Sequence, residues 1–424
     1  MESVKVYLKQ TWVGKLYARL KIYKLKAKIR RLRGKIFKFI TLKIIYPYVY
    51  NKCVRQPVNE NKVLFIEVRL PEISNSFRVI YTELKDVYDY EIDSHFLRNG
   101  FVDKWTYHKN CISLMKKLAT AKFVFMNEAS NVVSCVKLRK ETSIIQLWHG
   151  CGAFKKFGRS TAELIFGDSK KEMDKYPYYR NYSLVTVSSP EVIWAYSEAM
   201  GISEKTGIIQ ATGISRTDIF FKKEYIEQAF ERLYEQVPFA KGKKVLLYAP
   251  TFRGRVAKAK TPDILDIAKL AEKFSDEYIL LFKHHPLVKN PPEVPMEYQE
   301  WFAMDVSKTM TIEDLICVSD ICISDYSSLI YEFALFERPM LFLAHDLDEY
   351  FDWRGFYYKY QELTPGPIVT TNEEIIDYIS DIDKKFDKQR VIDFKQRFMC
   401  ACDGHATERI LRLTFGYGLD AHKK

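Results

Sequence analysis

Short, largely apolar runs recur through the middle of the chain, and their length and spacing carry most of what the sequence says about the fold. Residues 63–68, 123–126, 144–147 and 184–187 are four to six residues long and mostly apolar at consecutive positions. That is the pattern of strands covered on both faces in a parallel sheet. Between them, 113–121 and 190–200 read as helices. A polar stretch at 236–244 interrupts the pattern, which restarts at 245–248 and continues through 278–282, 321–324 and 340–343. Strands alternating with helices predict parallel sheets with helices on their faces. The expectation is an α/β chain of two Rossmann-like domains facing a cleft, at 60–238 and 242–412. No internal repeat or low-complexity linker is visible.

The N-terminal fifty residues follow a different period. Leu25, Ile29, Leu32, Ile36 and Phe39 recur at steps of three and four, one stripe along a helix, while Lys24, Lys26, Lys28, Arg30, Arg31, Arg33, Lys35 and Lys38 fill most of the remainder. Lys38 and Lys43 interrupt the most apolar part, so no run reaches the roughly 20 residues a bilayer crossing needs. Residues 1–50 therefore predict a basic amphipathic helix lying on an anionic membrane surface. The alternatives are a coiled-coil partner helix or a nucleic-acid arm.

At 424 residues, with 47% apolar and 15% aromatic side chains, the chain can build substantial cores. Its net charge of +12 suggests nucleic acid until it is located. Residues 1–50 hold 14 Lys or Arg against Glu2 alone, and the rest holds 52 bases against 53 acids. The basicity is local, and no nucleic-acid partner is expected. Cysteines 53, 111, 135, 151, 317, 322, 400 and 402 form no CxxC pair, which suits a reduced cytosolic compartment better than a disulfide framework or zinc site. No secretory signal peptide is visible.

Candidate chemistry lies where strands end, the place where open α/β sheets bind ligands. The run 144–147 opens into Trp148-His149-Gly150-Cys151-Gly152, an imidazole among small residues that permit close backbone approach. The run 278–282 leads into Lys283-His284-His285-Pro286, a cluster able to hold a diphosphate or protonate a leaving group, or else a solvated basic turn. The third run, 321–324, leads into Asp325-Tyr326-Ser327-Ser328 and an apparent helix. There Ser327 can cap, free N–H groups can hold phosphate, and Glu332 can reach a ribose hydroxyl. Pro250-Thr251 and Arg216 sit in two further polar loops, each equally readable as a surface turn. GxxxxGK[ST], HExxH and GxSxG are absent, which removes support for P-loop, zincin and α/β-hydrolase chemistry. Asp346, Asp348, Glu349 and Asp352 lack EF-hand spacing and read as a solvated acidic loop. No metal or cofactor is implied.

Taken in order, Trp148-His149-Gly150, Tyr248-Ala249-Pro250-Thr251, His285-Pro286, Ser324-Asp325-Tyr326-Ser327-Ser328 and Asp346-Leu347-Asp348-Glu349-Tyr350 resemble the CDP-glycerol glycerophosphotransferase family of teichoic-acid and related polymer synthesis. Arg354-Gly355-Phe356-Tyr357-Tyr358 and Pro365-Gly366-Pro367 extend the match, which covers roughly 140–380. The resemblance implies a GT-B fold and a peripheral enzyme on the cytoplasmic membrane face, moving glycerol or ribitol phosphate from a CDP-linked donor to a lipid-linked acceptor. It implies His149 as general base, with His285 acting on the diphosphate. Trp148, Gly150, Cys151, Gly152, Arg216, Pro250, Thr251, Lys283, His284, Ser327, Ser328 and Glu332 then bind the donor. Many members carry Thr-Pro where this chain has Cys151-Gly152. A GT-B glycosyltransferase using a sugar nucleotide is the alternative.

Overall fold

The computed structural model describes residues 12–164, 167–254, 259–416 and 418–424. Its strands form two six-stranded sheets. The first holds β1 (Asn59–Glu67), β2 (Glu91–Phe96), β3 (Ala121–Met126), β4 (Ser143–Gln146), β5 (Leu184–Thr186) and β6 (Ile209–Gln210), in the order β2-β1-β3-β4-β5-β6. The second holds β7 (Lys244–Tyr248), β8 (Tyr278–Phe282), β9 (Ala303–Asp305), β10 (Ile321–Ser324), β11 (Met340–Leu343) and β12 (Ile368–Val369), in the order β12-β11-β10-β7-β8-β9. Every pairing within them is parallel. The α/β expectation with two parallel sheets is met.

Continuous apolar runs make these strands because both faces are covered. Leu64 and Ile66 point into one core while Val63 and Phe65 point into another. On that second face helix Asn75–Val87 lays Phe77, Ile80 and Leu84, three to four residues apart, with the Phe77 ring 5.2 Å from Phe65. The chain's last long helix, Ala406–Phe415, returns from the second sheet to this same face, bringing Ile410, Leu411 and Phe415.

Each sheet has a point where its connections reverse direction, between β1 and β3 in the first and between β7 and β10 in the second. Crevices open at such points beyond the carboxyl ends of the strands. The two face one another because several bonds join the halves of the molecule. Lys155 bridges Phe356, Lys156 N–H donates to the Gly355 carbonyl at 3.0 Å, and Ser188 Oγ donates to the Phe398 carbonyl at 2.7 Å.

At the N-terminus, helix Trp12–Ile40 continues through a π-helical turn, Thr41–Ile45, into Tyr46–Cys53. Leu42, Tyr46 and Tyr50 are buried against the first domain, and Tyr46 OH lies 3.0 Å from His108 Nδ1. Leu25, Ile29, Leu32, Ile36 and Phe39 are all exposed. Among the described residues no helix is long and apolar enough to cross a membrane.

Candidate active site

The facing strand ends enclose a cleft of about 870 Å³. From the side of the first sheet it is lined by Arg69, Asn75, His149 and Lys155. From the second come the ends of β7 (Pro250, Thr251), β8 (Lys283, His284, His285) and β10 (Ser327, Ser328). A narrower extension of about 170 Å³ shares Ser327 and Ser328 and reaches Arg216 and Glu332. Another cavity of about 790 Å³, around Arg159, Asp174 and Tyr179, holds none of the strand-end residues.

His149 owes its orientation to β3. Its Nδ1 lies 2.9 Å from the Asn127 carbonyl, which can only accept, so Nδ1 carries the proton and Nε2 keeps a lone pair. The residue is exposed toward the cleft, yet protein surrounds it on the other sides. That crowding, opposed by the Asn127 bond and reinforced by the charges of Arg216 and Arg69, holds its pKa below 6.5. Trp148 supports it from beneath: its ring stacks on the imidazole at 4.6 Å, and its φ of +60° is a costly conformation for a bulky residue.

The rest of that loop turns inward. Cys151 is buried, and burial, with Cys402 and Glu332 nearby, pushes its thiol pKa up, so it packs rather than reacts. Gly152 has φ +62°, and a Cβ there would lie 2.2 Å from the Tyr331 ring, so this glycine answers to Tyr331. A Cβ on Gly150 would meet nothing within 4 Å. Of the five loop residues expected around a donor, His149 alone lines the cleft.

Opposite, His285 Nδ1 accepts the Leu287 N–H at 3.1 Å, which puts its own proton on Nε2. The two cleft histidines thus hold complementary tautomers, an acceptor nitrogen in one and a donor in the other. His284 is buried on Phe282 with neither ring nitrogen hydrogen-bonded, and burial lowers its pKa. Lys283 Nζ donates to the carbonyls of Ser307 (2.9 Å) and Met310 (2.6 Å), fixing the loop that forms the cleft floor. Burial lowers its pKa, with Glu313 opposing.

Thr251 is tied to the end of β10, with its N–H and Oγ1 both donating to Asp325 Oδ1 at 2.8 and 2.5 Å. Arg253 bridges Asp325 Oδ2 (2.9 Å) and Asp346 Oδ2 (2.6 Å), so Asp346, read from sequence as part of a solvated loop, is a structural partner. The helix after Ser328 is only Leu329–Phe333. Ser327 Oγ accepts the Leu329 N–H at 3.3 Å. A helix this short sums few peptide dipoles, so charge at this corner is met mainly by individual N–H groups and cations.

Arg216 and Glu332 meet each other. Arg216 Nη2 donates to Glu332 Oε1, and Nη1 lies 3.3 Å from Glu313 Oε1, an ion-pair set joining the segment after the first sheet to the helices of the second. Burial opposes the guanidinium charge, but the two carboxylates outweigh it. The Glu332 carboxylate is thus engaged by Arg216. Sequence reasoning missed Arg69, Asn75 and Lys155, although Arg69 stands just beyond β1 and the strand-end rule would have found it.

The fold of two parallel sheets has known counterparts. Residues 48–416 match the model of the CDP-Glycerol:Poly(glycerophosphate) glycerophosphotransferase family, and the chain belongs to that family. It is 35% identical over 375 residues to the teichoic acid poly(ribitol-phosphate) polymerase of Bacillus spizizenii, covering 87% of this chain and 58% of the polymerase. It is 34% identical over 362 residues to the teichoic acid ribitol-phosphate primase of the same organism, covering 84% of this chain and 90% of the primase. The fold also matches the solved wall teichoic acid polymerase TagF, with a TM-score of 0.72 at 21% identity over 93% of this chain and 97% of that one.

Proposed function

We propose that the protein transfers a polyol phosphate, glycerol or ribitol phosphate, from a CDP-linked donor to a lipid-linked acceptor of teichoic-acid or capsule type, releasing CMP. The observation that carries this reading is the pairing of an oriented His149 with the cationic and hydroxyl-bearing strand ends of the opposite domain in one cleft. His149 Nε2 takes the proton of the acceptor hydroxyl. That oxygen attacks the polyol-bearing phosphorus in line, and the bond from phosphorus to the bridging oxygen breaks. CMP leaves with that oxygen, and His285, Lys283, His284 and the Ser327-Ser328 corner stabilise the charge it gains. Pro250 and Thr251 shape the donor side, and Arg216 with Glu332 forms its inner end.

The family description names glycerophosphate and the relatives named above ribitol phosphate, so both donors are tested. Incubation with CDP-glycerol, CDP-ribitol and UDP-sugars should release CMP from a CDP-polyol; release of UDP alone would establish the sugar-nucleotide alternative. His149→Ala should lower transfer roughly 100-fold or more with an unchanged circular dichroism spectrum. Near-normal turnover by that variant removes the base.

Attachment to the cytoplasmic face of the membrane is part of this proposal, and the exposed apolar side chains of helix Trp12–Ile40, with its lysines and arginines suited to anionic lipid, support it.

A further inference from the structure

The carbonyl that orients His149 is itself held in place from a second strand. Glu67 is the last residue of β1, and Asn127 directly follows the neighbouring β3. Asn127 Nδ2 donates to Glu67 Oε2 at 3.2 Å and to Ser74 Oγ at 2.9 Å, while Glu67 Oε1 accepts the Ser74 N–H at 2.7 Å. The three residues thus close a ring of hydrogen bonds at the end of the sheet. From the same Asn127, the backbone carbonyl lies 2.9 Å from His149 Nδ1.

Two features set this ring apart from ordinary packing. Glu67 is 1% exposed and Asn127 3%, and a carboxylate so deep is costly where an apolar side chain would cover the strand end. Burial pushes the Glu67 carboxyl pKa up, Ser74 and Asn127 draw it down, and Glu128 adds to the rise. Ser74 is the N-cap residue of helix Asn75–Val87, yet its hydroxyl makes no capping bond to that helix. It accepts from Asn127 instead, so a group suited to its own helix is given to the loop after β3. Departures of this kind from local preference concentrate at functional sites.

We propose that Glu67, acting through Asn127, is a positioning residue for His149: it fixes the carbonyl that keeps the proton on Nδ1 and leaves the Nε2 lone pair for the acceptor hydroxyl. The inference rests on His149 being the base of the transferase reading above, and adds the group that selects its tautomer. With the Asn127 side chain released, the peptide after β3 is free to turn and the Nδ1 proton loses its acceptor. The imidazole can then carry its proton on Nε2, where it cannot act as base. The same carbonyl bond favours the charged imidazole, against the charges of Arg216 and Arg69. Losing it therefore lowers the proton affinity of His149 further.

The test uses the full chain with the CDP-polyol it accepts and reads CMP release. Glu67→Gln should lower kcat about tenfold, leave the donor KM within about twofold, and displace the acid limb of kcat/KM to lower pH. Placed in the His149→Ala protein, it should lower the residual rate by less than about twofold, since no imidazole remains to be held. Ser74→Ala removes one bond from Asn127 and keeps the Glu67 carboxylate. It should show the same pattern at about threefold, and it decides the matter should Glu67→Gln fail to fold by circular dichroism. A loss that persists without His149, a donor KM that rises in step, an unmoved acid limb, or a folded Ser74→Ala at the parental rate overturns the assignment. Absence of CMP release by the unsubstituted protein overturns the transferase reading as well, and near-normal turnover by His149→Ala removes the base. Neither of those outcomes involves a Glu67 variant, so the failures are told apart.

Discussion

At the scale of single residues, the depressed pKa of His149 fixes the direction of its pH dependence. An imidazole whose proton affinity lies below the ordinary value stays unprotonated to lower pH, so, with His149 as the proposed base, the acid limb of kcat/KM should fall below pH 6.5. A limb above that value would mean that another group titrates. His284 supplies a stability counterpart. Its folded pKa lies below 6.5, so at mildly acid pH the unfolded chain binds the proton more readily. Its contribution is present above about pH 6.5 and lost as pH falls through the folded value. Melting curves between pH 7.5 and 5.5 should show a falling Tm, and His284→Phe should flatten part of that fall. The loop glycines separate by environment. Gly152→Ala drives a Cβ into Tyr331 at positive φ and should destabilise by roughly 1–3 kcal/mol, whereas Gly150→Ala meets open space and should melt like the parent. The sequence pointed to a loop from which His149 lines the cleft, but it could not tell which residues faced outward, because a run of five residues does not show what packs behind it.

At the scale of elements, the eight runs read as strands correspond to β1, β3, β4, β5, β7, β8, β10 and β11. The four strands not anticipated, β2, β6, β9 and β12, are the four sheet edges. An edge strand pairs on one side only, and these are short or polar: β2 reads Glu-Ile-Asp-Ser-His-Phe, and β6 and β12 have two residues each. No continuous apolar run announces them. The helix expected over 113–121 instead spans Lys104–Leu118, because Asp103 caps its start through Trp105 and Thr106 and β3 claims Ala121. The N-terminal helix carries its own prediction. Since Phe37, Leu42 and Tyr46 pack on the body of the protein, a deletion ending at residue 33 removes the exposed basic portion and spares that contact. The shortened protein should move from the membrane pellet to the soluble fraction; an unchanged distribution would assign attachment elsewhere.

At the scale of the whole molecule, the cleft depends on how the two halves are joined. Arg216, just after the first sheet, is paired with Glu313 and Glu332 from the helices of the second, largely out of water. Removing one partner of a buried pair leaves the other uncompensated, so Arg216→Met should cost about 3–5 kcal/mol in denaturant unfolding. Adding Glu332→Gln should return part of that loss, and strict additivity of the two changes would mean that the pair is not coupled. The sequence alone determined the α/β class, the interior strands and the strand-end residues, because those follow from local apolar runs and from the rule that parallel sheets present their carboxyl ends to ligands. Only the tertiary structure decided that Asn127 holds the His149 proton, that Arg216 and Glu332 meet, that Arg69 shares the cleft, and that the last long helix returns to the first sheet. Each of these joins residues from separate segments, from 22 positions apart for Asn127 and His149, through 116 for Arg216 and Glu332, to 292 for Phe123 and Phe415. Contacts at such separation leave no local periodicity in the chain, because they are fixed by how finished elements pack.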